Sequence, residues 1–94
     1  MPEMIFRVRW PDGTESDCYS PSQVVRDHLV PGADYPVADF LARADAALTE
    51  ASARVQARYG LPCSRALGQL QTIRTLCARF ADSEDARVRV LSFD

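Results

Sequence analysis

One stretch near the N-terminus limits the fold more than any other part of this chain. In MPEMIFRVRWPDGTESDCYSPS, Met4, Phe6, Val8 and Trp10 alternate with Ile5, Arg7 and Arg9. A period of two is that of a strand, whose successive side chains point to opposite faces. A first strand is therefore expected from Glu3 to Trp10. Pro11-Asp12-Gly13 turns the chain, and Thr14 to Tyr19 returns it. A two-residue loop of Asp12 and Gly13 would set Glu15 opposite Trp10 and Asp17 opposite Val8, with carboxylates on the apolar face. A three-residue loop, with Gly13 in the left-handed region, sets Thr14 opposite Trp10, Ser16 opposite Val8 and Cys18 opposite Phe6. The same register brings Arg9 to Glu15 and Arg7 to Asp17 on the other face. Only this register satisfies both faces.

The remaining chain reads as helices and one more strand. Ser20 is expected to cap a short helix over SPSQVVRDHL, with Pro21 at its first position and Gln23 completing a capping box. Asp34-Tyr35-Pro36 is read as the opening of a longer helix. Along it Val37, Phe40, Leu41, Ala44, Ala47, Leu48, Ala51 and Val55 recur at helical spacing, and Gly60 ends it. A third helix is expected from Ser64 to Phe80, with Leu67, Leu70, Ile73, Cys77 and Phe80 on its apolar face. Gly68 inside it implies a close approach to the alanine-rich helix before it. Arg87 to Leu91 alternates again and reads as the last strand. The expectation is a single α+β domain over residues 1–94, in the order ββαααβ. Its three-stranded sheet has the order 2-1-3, and helices cover one face. A rival order places strand two in the centre, where Glu15 and Asp17 would meet arginines on both sides. Burial of the apolar first strand outweighs exposed ion pairs, worth about 0–1 kcal/mol each. The expected core joins Phe6, Val8 and Trp10 to Phe40, Leu48, Leu67, Leu70 and Ile73.

Composition narrows the function classes. The chain has 94 residues, 47% hydrophobic and 26% charged, which are globular proportions. A chain this short buries roughly 60–70% of its unfolded surface, enough for one modest core. A net charge of −2 argues against general nucleic-acid binding. There is no apolar run of membrane-spanning length, and charges interrupt the N-terminus too early for a signal-peptide core. A cytoplasmic location is expected. Cys18, Cys63 and Cys77, odd in number and without a CxxC pair, are expected to be free thiols in a reducing compartment.

No residue pattern announces catalysis. Cys18 and Cys77 fall on apolar faces, where cysteine acts as a small hydrophobe. Cys63 stands at a helix start, a place that favours a thiolate, and is the one catalytic candidate. The only histidine, His28, ends the first helix and would have to reach Cys63 across the fold. No metal site is expected, because short-spaced ligand pairs are missing, and no cofactor is implied. The four glycines are scattered, so there is no phosphate loop. The candidate binding residues are Arg7, Arg9, Arg87 and Arg89. Strand alternation puts all four on the open face of the sheet, where Glu15 and Asp17 offset only two charges. The surplus would attract an anionic ligand or an acidic partner surface.

Four segments, PEMIFRVRWPDGTESDCYSPSQVV, DYPVADFLARADAAL, YGLPCSRALGQL and the closing VRVLSF, together resemble a small bacterial family of nitrogen starvation response proteins. The resemblance is collinear over nearly the whole chain. It implies a setting: gene clusters that encode a nitrilase, beside a radical-SAM protein, an acetyltransferase-like protein, a synthase-like protein and a flavoprotein. Such clusters are linked to nitrogen limitation and to nitrile or cyanide nitrogen. The resemblance implies no catalytic residues. The resulting expectation is a non-enzymatic accessory protein that binds a partner from such a cluster or a small metabolite. The alternative is a small enzyme or thiol carrier using Cys63.

Overall fold

The computed structural model describes residues 2–94. A hairpin of β1 (Met4–Arg9) and β2 (Glu15–Ser20) leads into a short 3-10 helix (Gln23–Asp27). A three-residue strand, β3 (Asp34–Pro36), runs directly into α1 (Val37–Tyr59). Then come α2 (Ser64–Ala78) and β4 (Arg87–Phe93). The four strands form one antiparallel sheet in the order β2-β1-β4-β3.

The hairpin has the three-residue loop. Gly13 lies at φ 88, and its N–H donates to the Trp10 carbonyl at 2.9 Å. The Trp10 N–H donates to the Thr14 carbonyl at 2.7 Å, closing the ladder. Phe6 faces Cys18, Val8 faces Ser16, Arg7 faces Asp17 and Arg9 faces Glu15. The turn also has its own lock, since Asp12 Oδ1 accepts from both the N–H and the hydroxyl of Thr14. Ser16 sits inward beside Trp10 and accepts from the indole N–H at 2.9 Å. The ring's one polar group is thereby satisfied in the core.

Five expectations need correction. The sheet has four strands and not three, because Asp34-Tyr35-Pro36 is a strand along β4 and not the first turn of a helix. Proline restricts the residue before it to extended backbone, and Tyr35 turns inward to be buried. Its hydroxyl accepts from the Val30 N–H at 3.0 Å. The first expected helix is only a five-residue 3-10 segment, and its cap is Ser22, which accepts from the Val24 N–H at 3.3 Å. Ser20 instead ends β2 opposite Met4, fully buried, and donates its hydroxyl to the Ser22 carbonyl at 2.7 Å. The last helix ends at Ala78, short of Phe80. Finally, Leu67 lies outside the core at 44% exposure. The buried stripe of α2 is Ala66, Leu70, Ile73 and Cys77, and Leu67 is turned about 100° from Ala66 at about 3.6 residues per turn. A Cβ on Gly68 would meet nothing within 4 Å, so no close helix approach explains that glycine.

The neighbours expected for β1 are the neighbours it has. It lies between β2 and the last strand, and the rival order with β2 in the centre does not form. Phe6 and Val8 are fully buried, as a central strand with one covered face requires. A bulge shifts the β1–β4 register, so that Val8 pairs with Val90 while Arg7 pairs with Ser92. The extra residue, Leu91, lets both Val90 and Phe93 turn toward the core, which strict alternation would forbid. Helices α1 and α2 cover this inner face. Phe40 meets Trp10 edge to face at 5.7 Å, and sheet and helices share one buried cluster.

Candidate interaction face

With both helices on one side, the other face of the sheet is bare, and the strands fix what it carries. Along β1, Arg7 and Arg9 alternate with the buried Phe6 and Val8; along β4, Arg87 and Arg89 alternate with Val88 and Val90. All four arginines are exposed. Cross-strand pairing decides their partners. Arg7 reaches both Glu15 and Asp17 at 3.1 Å, and Arg9 reaches Glu15 at 2.9 Å. Glu15 thus accepts from two guanidinium groups, first Arg9 and then Arg7, which hold its carboxyl below the usual glutamate range.

The fourth strand changes the balance read from the sequence. Asp34 lies directly across from Arg89 and comes within 3.6 Å of its guanidinium. Pro36 lies across from Arg87 and offers it nothing. Among the described residues Arg87 therefore has no ion-pair partner, while Arg7, Arg9 and Arg89 do. The four arginines lie on one face, as expected, but the expected surplus of charge narrows to Arg87. Asp34 was the residue that sequence reasoning missed. Its signal was the Tyr35-Pro36 pair, which favours extended backbone over a helix start.

Beyond the arginines, Tyr19 of β2 donates its hydroxyl to Glu3 at 2.9 Å, and Arg65 of α2 lies 3.8 Å over its ring. Burial and the bond to Glu3 raise the Tyr19 phenol above its ordinary value. The side-chain oxygen of Gln69, also on α2, accepts from the Tyr19 N–H at 3.0 Å. That bond occupies a free donor on the β2 edge, which would otherwise invite another strand.

The three thiols separate by environment. Cys18 and Cys77 are buried, and burial pushes them up to about 12 and about 11 respectively. Both are held protonated at neutral pH and are poor nucleophiles. Cys63 is half-buried at the start of α2, where its N–H donates to the Ser52 hydroxyl at 3.1 Å. His28 bonds Glu50 at 2.9 Å. Glu50 and Ser52 lie two residues apart on α1, about 200° around its axis. Cys63 and His28 therefore sit on opposite flanks of that helix, and the structure does not bring them together. Among the described residues no three of His, Cys, Asp and Glu could share a metal ion, and no helix is long and apolar enough to cross a membrane.

No curated protein and no solved structure matches the chain. A family model does, over residues 5–93, from the second residue of β1 to the end of β4; it describes the nitrogen starvation-induced protein NitG. The match takes in the hairpin, both helices and the arginine-bearing strands, and by it this chain belongs to the NitG family of nitrogen starvation-induced proteins.

Proposed function

We propose that this protein is a non-catalytic accessory factor of the nitrogen starvation response, docking through the bare face of its sheet onto an acidic surface of a partner protein. The observation that carries this reading is the state of the four arginines. Three are paired with carboxylates and one, Arg87, is not. Pairing fixes the side chains of Arg7 and Arg9, so less conformational freedom is lost when a partner docks. Arg87 then supplies the unsatisfied charge. A guanidinium accepts a planar carboxylate in a two-pronged geometry, and arginine is enriched at protein interfaces. The first partners to test are the proteins of nitrilase gene clusters, the setting implied by the family resemblance, with the nitrilase at their head.

The thiol-enzyme alternative has less support, because the histidine that could activate Cys63 bonds Glu50 on the far flank of α1. Titration calorimetry against each purified cluster protein tests the proposal. One of them is expected to bind wild type. The folded Arg87→Glu variant is expected to bind that protein at least tenfold more weakly, while Cys63→Ala binds as wild type does. Unchanged affinity in Arg87→Glu would reject the sheet face. Binding by none of them would reject the choice of partner.

A further inference from the structure

The helical layer carries a second polarity that the sheet face does not use. Five of the eleven arginines, and none of the thirteen carboxylates, lie between Ala51 and Ala81. Of the five, Arg58 stands at the turn that joins α1 to α2, while Arg54 is paired with Glu50 at 3.5 Å and Arg65 stacks on Tyr19. That turn projects from the rest of the fold. The last buried residue of α1 is Ser52, and from Ala53 to Tyr59 the helix is exposed except for a half-buried Val55. At its tip Tyr59 is 64% and Leu61 73% exposed. Arg58 lies 5.7 Å over the Tyr59 ring and has no ion-pair partner among the described residues, so the bare tip joins apolar surface to a free cation.

The opposite end of the helix pair has the complementary character. There the first turn of α1 meets the end of α2 and the loop that follows it. Between them lies a half-enclosed cleft of about 330 Å³. Its walls are largely apolar, with Val37, Leu41, Ala78 and Phe80 among them. Its one cation, Arg74, is paired with Asp45 at 2.8 Å. The loop beside it reads Asp82-Ser83-Glu84-Asp85; Glu84 lines the cleft, and all three acids are exposed. None of the three has an ion-pair partner among the described residues.

We propose that these two ends bind each other between copies, the apolar tip of one molecule, with its Arg58, entering the acid-rimmed cleft of the next. The occupant follows from complementarity of both kinds. An exposed Leu61 and Tyr59 meet an apolar cleft with room for a large side chain, and the unpaired Arg58 meets Asp82, Glu84 and Asp85. Tip and cleft cannot meet within one chain, because α2 alone separates them by about 22 Å at about 1.5 Å per residue. The contact is therefore heterologous, and it propagates head to tail into open chains or a ring. It uses the helical layer and leaves the bare sheet face free, so it stands or falls independently of the reading above.

Sedimentation equilibrium over a protein concentration series tests it. In low salt the weight-average mass is expected to reach at least twice that of the monomer as concentration rises toward about 1 mM. In about 1 M salt, where the screening length falls to about 3 Å, it is expected to return to the monomer. Leu61→Asp, which disables the tip, and Glu84→Arg, which disables the cleft, are each expected to stay monomeric alone. Mixed, they are expected to form a dimer and nothing larger, since one good tip and one good cleft remain. Both residues are exposed, and circular dichroism checks that each variant is folded. If either is not, Arg58→Glu and Asp85→Arg replace it. A wild type monomeric throughout would overturn the proposal, as would either folded variant still associating. A mixture that fails to dimerise would overturn the head-to-tail arrangement.

Discussion

Cys18 shows how far a single residue's place in the register decides its chemistry. One residue of slip in the hairpin would have put it on the bare face as an accessible thiol. In the observed register it is 1% exposed opposite Phe6, and its pKa rises from 9.0 to about 12. Cys77, on the buried stripe of α2, rises to about 11. The effect on stability has a definite sign. Below pH 9 both thiols are protonated, folded or unfolded, and their stabilising contribution is complete. Above pH 9 the unfolded chain releases these protons while the folded chain retains them, so stability falls as pH rises toward the folded values. The slope is about 1.4 kcal/mol per pH unit for each thiol. Urea unfolding midpoints are therefore expected to drop steadily between pH 9 and 11, and less steeply in Cys18→Ala. An equal slope in the variant would mean that Cys18 is not buried as observed.

At the scale of an element, α2 separates what periodicity predicts from what packing selects. Leu67 and Leu70 are both apolar and fall within one turn, yet Leu70 is 3% and Leu67 44% exposed. The stripe that faces α1 and the sheet is centred on Ala66, Leu70 and Ile73. Leu70→Ala is expected to cost about 2–5 kcal/mol. Leu67→Ala should change stability by no more than about 0.5 kcal/mol. Gly68, exposed and with open space where a Cβ would stand, completes the series. Gly68→Ala is expected to stabilise by about 0.5–1 kcal/mol, the ordinary gain from replacing a helical glycine. Denaturant midpoints of the three variants give the comparison directly. A large loss in Leu67→Ala would place the α2 face wrongly by about a quarter of a turn. The strand β3 fails the sequence test for a different reason. It has three residues, too few for alternation to register, and its partner β4 lies more than fifty residues away.

For the whole molecule the useful fact is that sheet and helices share one buried cluster. The single tryptophan stands inside it, 3% exposed and edge-on to Phe40 of α1. Trp10 fluorescence therefore reports the sheet–helix contact, while far-ultraviolet circular dichroism reports mainly the helices. With one core the two signals are expected to change together in a single urea transition. Two separated transitions would show that the helical hairpin unfolds on its own. The limits of sequence reading also follow from scale. The hairpin register, the left-handed Gly13, the alternation of Arg7, Arg9, Arg87 and Arg89, and the helix stop at Gly60 were legible in the sequence. Each depends on backbone preference or on side-chain period among residues close together in the chain. The place of β1 beside the last strand was legible as well, because burial of its apolar residues favoured the centre over exposed ion pairs. The fourth strand, the exposure of Leu67, the bulge at Leu91 and the pairing of Asp34 with Arg89 were decided only in the tertiary structure. They depend on how residues distant in sequence come to share one edge or one core; the Tyr35-Pro36 pair signals extended backbone but not which strand it joins. That is why the arginine face could be placed from the sequence while its charge balance, which turns on Asp34, could not.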